Sequence, residues 1–367
     1  MSPEKKSPRA LPRNRTASFQ RWLLAWYQKS RRPLPWRESR DPYRVWLSEI
    51  MLQQTRVAAV IGHYEEFLRR FPTVEKLAAA REASVLAAWS GLGYYRRARM
   101  LHASAKVVAR EHGGKFPATA EVLRALPGIG RYTAAAIASI AFGKPVAVVD
   151  GNVERVLQRV SGRRFAGEEL WQTAEDLLDR KQPGDFNQAM MELGATVCTP
   201  RAPACFMCPV VKLCATRGEL AAGVKAARQK KREIHYALSY RNLDRRNLDR
   251  RNLDRRNRDG GGGSGGEVLL VQRARDASLM AGMWELPEMA NGQGASKPSL
   301  NLRHSINVTD YTVRVWRTDA PDCVGGKWIP ATRLGRVALT GLARKILRKA
   351  EMLRSKSSPR PASSRMK

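Results

Sequence analysis

Acidic residues are in short supply: 33 Asp and Glu stand against 66 Lys and Arg, a formal net charge of +33. No apolar run approaches the ~20 residues that cross a bilayer, which excludes a helical membrane span. The opening MSPEKKSPRALPRNRT has basic residues but no apolar stretch, so no secretory signal is read there. The expected location is therefore intracellular and cytoplasmic. Histidines number only five, and His63, His102, His112 and His235 show no metal-ligating spacing. Strand-like alternation is nearly absent before residue 220.

The excess of positive charge is unevenly useful. Residues 1–15, 241–259 and 351–367 together carry +12 and read as unfolded, which leaves +21 for the folded part. That remainder points to a polyanionic partner. Nucleic acid leads, because phosphate neutralisation supplies most non-specific affinity. A membrane surface is disfavoured, since no basic amphipathic helix with a bulky apolar face stands out.

A chain of 367 residues suits two domains. Residues 1–16 read as a disordered basic arm. Residues 17–220 read as an all-α domain of many short helices, punctuated by Pro and Gly. Residues 221–235 are polar and basic and suit a connector. Residues 236–350 turn to strands (EVLLVQR, YTVRVWR, GKWIP) with a last helix over 335–350, an α+β pattern. Within them, 241–266 repeats RNLDR three times and ends in GGGSGG, a low-complexity insert. Residues 351–367 form a basic tail.

Four of the five cysteines sit together as C-x6-C-x2-C-x5-C: Cys198, Cys205, Cys208 and Cys214. Four thiolates in one loop suit an iron–sulfur cluster. A zinc site more often pairs two close hooks, and disulfides need an oxidising compartment; both remain alternatives. The segment LPGIGRYTAAAIASIAFG (126–143) places Gly128 and Gly130 in a tight turn between two helical runs. Exposed amides there form an anion site suited to a DNA phosphate. In AVVDGNVERVL, Asp150 either caps a helix from Asn152 or serves in a site. Glu49 lies in an apolar helical run, VWLSEIMLQQT. Burial of that carboxyl would raise its pKa and keep it a proton donor. One protonated acid and one ionised carboxylate is the arrangement that cleaves a glycosidic bond. Gln53 and Gln54 follow on the same helix, within reach of a base stack.

LPWR (34–37), SEIMLQQTRV (48–57), GLGYYRRAR (91–99), LPGIGRYTAAAI (126–137), VVDGNVERV (148–156), FNQAMMELGATVC (186–198) and the cysteine loop occur in order. By them residues 18–220 resemble the endonuclease III superfamily of DNA glycosylases, with the helix–hairpin–helix motif, and within it the MutY type, which acts on adenine. The resemblance implies a [4Fe–4S] cluster on the four cysteines. It implies that Glu49 protonates N7 of a flipped adenine and that Asp150 stabilises the resulting sugar cation, with Asn152 and Tyr132 positioning them. Trp36, Arg37 and Gln188 would line the base pocket, and Tyr94 and Gln54 would wedge into the duplex. Tyr132 occupies the place where lyase relatives carry a lysine, so no Schiff base is expected. The alternative is an endonuclease III-like glycosylase/lyase for oxidised pyrimidines; a non-catalytic iron–sulfur DNA-binding protein is a further one.

The second domain resembles the MutT-like (Nudix-fold) C-terminal domain of that family, through EVLLVQR, GMWELPE (282–288) and Arg303-His304-Ser305. No acidic Nudix box is present, which opposes pyrophosphate hydrolysis. His304 is implied to sit beside the 8-oxoguanine contact. The residues after it, Ser305-Ile306-Asn307-Val308-Thr309, depart from the family's Phe-Ser-His. The expected partner is double-stranded DNA carrying A:8-oxoguanine or A:G mispairs, with no membrane role and a monomeric chain.

Overall fold

The computed structural model describes residues 11–220, 230–242, 266–277, 280–289, 297–306, 309–319 and 325–353. Contacts divide the chain into two compact units, Met1–Ala79 with Met100–Val224, and Ala80–Arg99 with Lys225–Lys367. Twelve α-helices run in the described residues: α1 (Arg13–Ser30), α2 (Pro42–Leu52), α3 (Val57–Arg70), α4 (Val74–Ala78), α5 (Glu82–Trp89), α6 (Arg96–Glu111), α7 (Ala120–Leu123), α8 (Arg131–Phe142), α9 (Gly151–Ser161), α10 (Gly167–Leu177), α11 (Pro183–Thr196) and α12 (Gly341–Lys349). Seven strands follow the helical part: β1 (Lys230–Leu238), β2 (Tyr240–Arg241), β3 (Glu267–Gln272), β4 (Trp284–Glu285), β5 (Leu300–Ile306), β6 (Thr309–Arg317) and β7 (Gly326–Pro330).

The helical unit is organised by short, well-marked helices. α2 starts where Asp41 accepts the Arg44 amide at 2.9 Å and Pro42 fills the first turn. It is buried nearly all round, from Tyr43 to Met51, and Glu49 goes under with it. α8 carries the run TAAAIAS, buried throughout. Its small side chains let α2 and α11 both close on it. Phe19, Leu23 and Tyr27 of α1, Val153, Val156 and Leu157 of α9, and Phe186, Ala189 and Leu193 of α11 share one core.

Two glycines of α11 set how closely it packs. A Cβ on Gly184 would stand 2.6 Å from the Ser139 carbonyl oxygen on α8. On Gly194 it would stand 2.6 Å from Asn152 Cβ and 2.9 Å from Asn152 O, at the first turn of α9. The helix–hairpin–helix turn has the same requirement: Gly128 has φ +75°, and a Cβ there would lie 2.4 Å from Met100 Cβ.

In the second unit β6 runs between β1, parallel to it, and β5, antiparallel to it. β3 runs antiparallel to β2, β4 and β7. Leu342, Ala343, Ile346 and Leu347 of α12 join Val268, Leu270, Val313 and Val315 in its core. Thr340 caps α12 by accepting the Ala343 amide at 3.1 Å.

Four boundaries differ from the sequence reading. α1 begins at Arg13, inside the segment read as a disordered arm. Buried Leu11 anchors its start and Arg15 reaches the Lys212 carbonyl at 3.0 Å. β1 begins at Lys230, inside the segment read as connector. Its exposed Lys231, Arg232 and Glu233 hide a strand that is buried only from Tyr236 to Leu238. Residues 80–99 group with the C-terminal unit rather than with the helices around them. The read helix over 335–350 is a 3-10 turn, Ala331–Arg336, then α12. Most of the RNLDR insert (243–265), the arm up to residue 10, residues 221–229 and the tail from 354 lie outside the described residues.

Gly194→Ala is expected to cost about 1–3 kcal/mol of stability through overpacking. Gly62→Ala, at an exposed α3 position with nothing within 4 Å of the added Cβ, is expected to gain about 0.5–1 kcal/mol. Denaturant unfolding of the two variants measures both.

Candidate active site

Glu49 is carried into the interior by α2 and is only 6% exposed. Its Oε2 accepts a 2.6 Å hydrogen bond from the Tyr132 hydroxyl on α8. Burial pushes its pKa up to about 7, and the charge of Asp150 adds to that. The Tyr132 hydrogen bond and the Arg37 charge pull the other way and lose. A carboxyl so placed holds its proton near neutral pH and can give it up. Burial, then the neighbouring carboxylates, hold the Tyr132 phenol well above its ordinary value, so it stays a donor.

Asp150 caps α9, as its place before Gly-Asn allows, and also faces the cavity. Its Oδ1 accepts from the Asn152 and Val153 amides at 2.9 and 2.8 Å, and Oδ2 from Asn152 Nδ2 at 2.9 Å. The extended segment before it is pinned from two helices. Glu175 of α10 accepts the Ala147 amide at 2.7 Å, and Asn187 of α11 accepts the Val148 amide at 3.1 Å. Asn187 in turn donates to Val146 O and Ser139 Oγ, both at 2.9 Å. Arg155 ties Asn152 Oδ1, the Gly194 carbonyl and the Cys198 carbonyl together, each at 2.7 Å.

A cavity of about 560 Å³ is lined by Trp36, Arg37, Glu49, Gln54, Tyr132, Asp150, Asn152 and Gln188, all singled out from sequence. Arg32, Gln53, Met191 and Glu192 line it too. Arg32, Met191 and Glu192 were missed. Glu192 is buried, and burial by itself would raise its pKa. Hydrogen bonds from Arg32 (Nε and Nη2, both 2.7 Å) and Arg37 (Nη2, 2.8 Å) overrule that and hold it down at about 2. Its signal was the acid in FNQAMMELGATVC, one helical turn from Gln188 on the same face.

The hairpin glycines do not line this cavity. Gly130 precedes α8 with no side chain to cap the first-turn amides, and a Cβ there would meet nothing within 4 Å. Arg131 is held at 4.0 Å over the Trp171 ring and paired with Glu168 on α10. Tyr94 and His304 belong to the other unit. Tyr94 is 44% exposed with φ +47°. His304 stands on β5 opposite Tyr311. Burial, then Lys345, lowers its pKa. Asn307 and Val308 lie outside the described residues, as does Cys323.

Cys198, Cys205, Cys208 and Cys214 line one small apolar cavity and form no disulfide with one another. Arg159 Nη1 donates to Cys198 Sγ and the Arg217 amide to Cys214 Sγ, each at 3.4 Å. Burial raises the Cys205 and Cys208 thiols, and the neighbouring cysteines raise them further. Among the described residues no three His, Cys, Asp or Glu side chains are arranged to hold a metal ion. No helix among them is long and apolar enough to cross a membrane.

The HhH-GPD superfamily of base excision DNA repair proteins matches residues 47–179. The adenine DNA glycosylase of Rattus norvegicus is 41% identical over 330 residues, 78% of this chain and 64% of that protein. The adenine DNA glycosylase of Mycobacterium tuberculosis (strain H37Rv) is 48% identical over 195 residues, 51% of this chain and 64% of that protein. The chain thus spans less than two thirds of the length of these curated relatives. A solved thermostable thymine-DNA glycosylase is 32% identical with a TM-score of 0.53, over 56% of this chain and 97% of that one. With helix–hairpin–helix, buried glutamate and capping aspartate in one unit, the chain belongs to the HhH-GPD superfamily of base excision DNA repair proteins.

Proposed function

We propose that the chain is a monofunctional DNA glycosylase that hydrolyses the N-glycosidic bond of adenine mispaired with 8-oxoguanine or guanine in duplex DNA. The observation that carries this is the Glu49 carboxyl, raised to about 7 and hydrogen-bonded to Tyr132, in one cavity with Asp150. The target base leaves the stack to reach that cavity, since its reacting atoms are closed off in a duplex. Trp36 offers it an apolar face, and Glu192 with its two arginines offers polar contacts. Glu49 gives its proton to adenine N7, which turns the base into a neutral leaving group. The electrons of the glycosidic bond depart with the base, and positive charge develops on the sugar. Asp150, turned to the same cavity, stabilises that charge until water adds. Tyr132 cannot form a Schiff base, which separates this reading from a lyase.

The curated adenine glycosylases it resembles support the substrate; the thymine-DNA glycosylase it also resembles is the rival. The turn at Gly130 leaves the start of α8 without a side-chain cap, which suits a phosphate there, and Tyr94 is an exposed aromatic of the kind that stacks on bases. The second unit is read as the MutT-like domain that meets the opposing base near His304. Cys198, Cys205, Cys208 and Cys214 would hold a [4Fe–4S] cluster. Their shared cavity and the N–H donors aimed at two of the sulfurs fit one. A zinc site more often pairs two close Cys hooks, and this loop has only one close pair, Cys205 and Cys208. When bound, the cluster would cross-link the loop and leave hydrolysis to Glu49 and Asp150.

Incubation with A:8-oxoguanine duplex is expected to release adenine, with no borohydride-trapped adduct, and Glu49→Gln is expected to lose about 10²–10⁴-fold in rate. Release of thymine from T:G duplexes instead would overturn the substrate assignment. Because the proton on Glu49 is the reactive species, kcat/KM should fall as pH rises through about 7. Tyr132→Phe removes a bond that favours the ionised carboxylate, so that alkaline limb should move to higher pH. Purified protein should contain iron and acid-labile sulfide in equal amounts and no stoichiometric zinc, as metal and sulfide assays measure.

A further inference from the structure

The loop that ends in Tyr94 is built with care on both sides. Gly91, Gly93 and Tyr94 have φ of +112°, +71° and +47°. A non-glycine residue held there is strained and needs a surrounding that over-determines it. From within, Trp89 donates its indole N–H to Gly93 O at 3.1 Å. Arg97 lies 5.4 Å from the ring centroids of both Trp89 and Tyr94.

From outside, the loop is bolted to the C-terminal part of its own unit. The Leu339 carbonyl accepts from Ser90 Oγ at 2.9 Å and from the Tyr95 hydroxyl at 3.0 Å. Arg344 of α12 donates from Nε to Ser90 Oγ at 2.8 Å. Arg344 is only 6% exposed, and a cation is costly to bury unless it is held by hydrogen bonds. Leu339 itself is fixed to β4: the Trp284 amide bonds to Ala338 O and the Thr340 amide to Trp284 O, both at 2.9 Å. Arg99 adds a bond to the Ala281 carbonyl. A chain of hydrogen bonds therefore runs from β4 and α12 to the two residues that flank the strained loop.

We propose that Arg344, with the Leu339 carbonyl, is a positioning element for Tyr94, so that the C-terminal unit sets the pose in which this ring stacks into the duplex. The inference rests on the reading of Tyr94 as a stacking residue. It makes the C-terminal unit part of the duplex-opening machinery and assigns it a role beyond contact with the opposing base.

A double-mutant cycle on the full chain tests it. Binding to a duplex with A:8-oxoguanine is measured by fluorescence anisotropy in the Glu49→Gln background, which suppresses turnover. Tyr94→Ala is expected to weaken binding about 10-fold, in line with one lost base stack. Arg344→Met and the gentler Tyr95→Phe are each expected to weaken it several-fold while Tyr94 is present and to add nothing when position 94 is alanine. Arg344→Lys should restore part of the loss. The salt dependence should stay unchanged, since no phosphate contact is removed. Equal losses with and without the Tyr94 ring, no loss in both Arg344→Met and Tyr95→Phe, or no loss in Tyr94→Ala would each overturn the inference. Base release is not read here, so a failed substrate assignment shows only in the adenine assay.

Discussion

The 2.6 Å hydrogen bond from Tyr132 to Glu49 is the constraint around which the helical unit is arranged. A carboxyl in an apolar helix face is unfavourable in either protonation state unless something meets it. Tyr132 meets it without adding charge, so the acid stays buried and keeps a pKa of about 7. A lysine in the same place would bring a positive charge beside Glu49 and pull the proton off it. In the proposed reaction, tyrosine at this place leaves Glu49 its proton and offers no amine for a Schiff base.

Meeting that bond requires α2 and α8 to lie side by side and α11 to complete the cavity. The alanine run of α8 and Gly184 of α11 allow the approach, because a Cβ at Gly184 would strike the α8 backbone. The second carboxylate is placed by different means. Asp150 takes its direction from the amides of the helix it caps, and the segment before it is held by Glu175 and Asn187. One acid is thus desolvated, and the other accepts three N–H donors. In the proposed reaction that asymmetry gives two like groups opposite roles in one cavity.

Much of the site was legible in the sequence, for a physical reason. Glu49 stood out because a charged residue in an apolar periodic run must be paired or functional. Asp150 stood out because it precedes Gly-Asn at a helix start, and Gly128 because only glycine tolerates that turn. Glu192, Arg32 and Asn187 did not stand out. A polar residue in a helical run looks like a solvated face until packing shows which side is covered. β1 was misread because its first residues are exposed and basic, and the start of α1 because Leu11 finds its apolar neighbours only after the chain folds.

The sequence by itself determined the family motifs, the cysteine spacing, the helical character up to about residue 220 and the identity of both carboxylates, since each rests on local spacing or side-chain chemistry. Only the tertiary structure decided that Glu192 balances two arginines in the cavity, that Gly194 and Arg155 fasten the Asp150 turn, and that residues 80–99 belong with the C-terminal unit. Those outcomes depend on contacts between residues as far apart in the chain as Ser90 and Arg344. No local pattern encodes such a contact; it exists once both cores have closed.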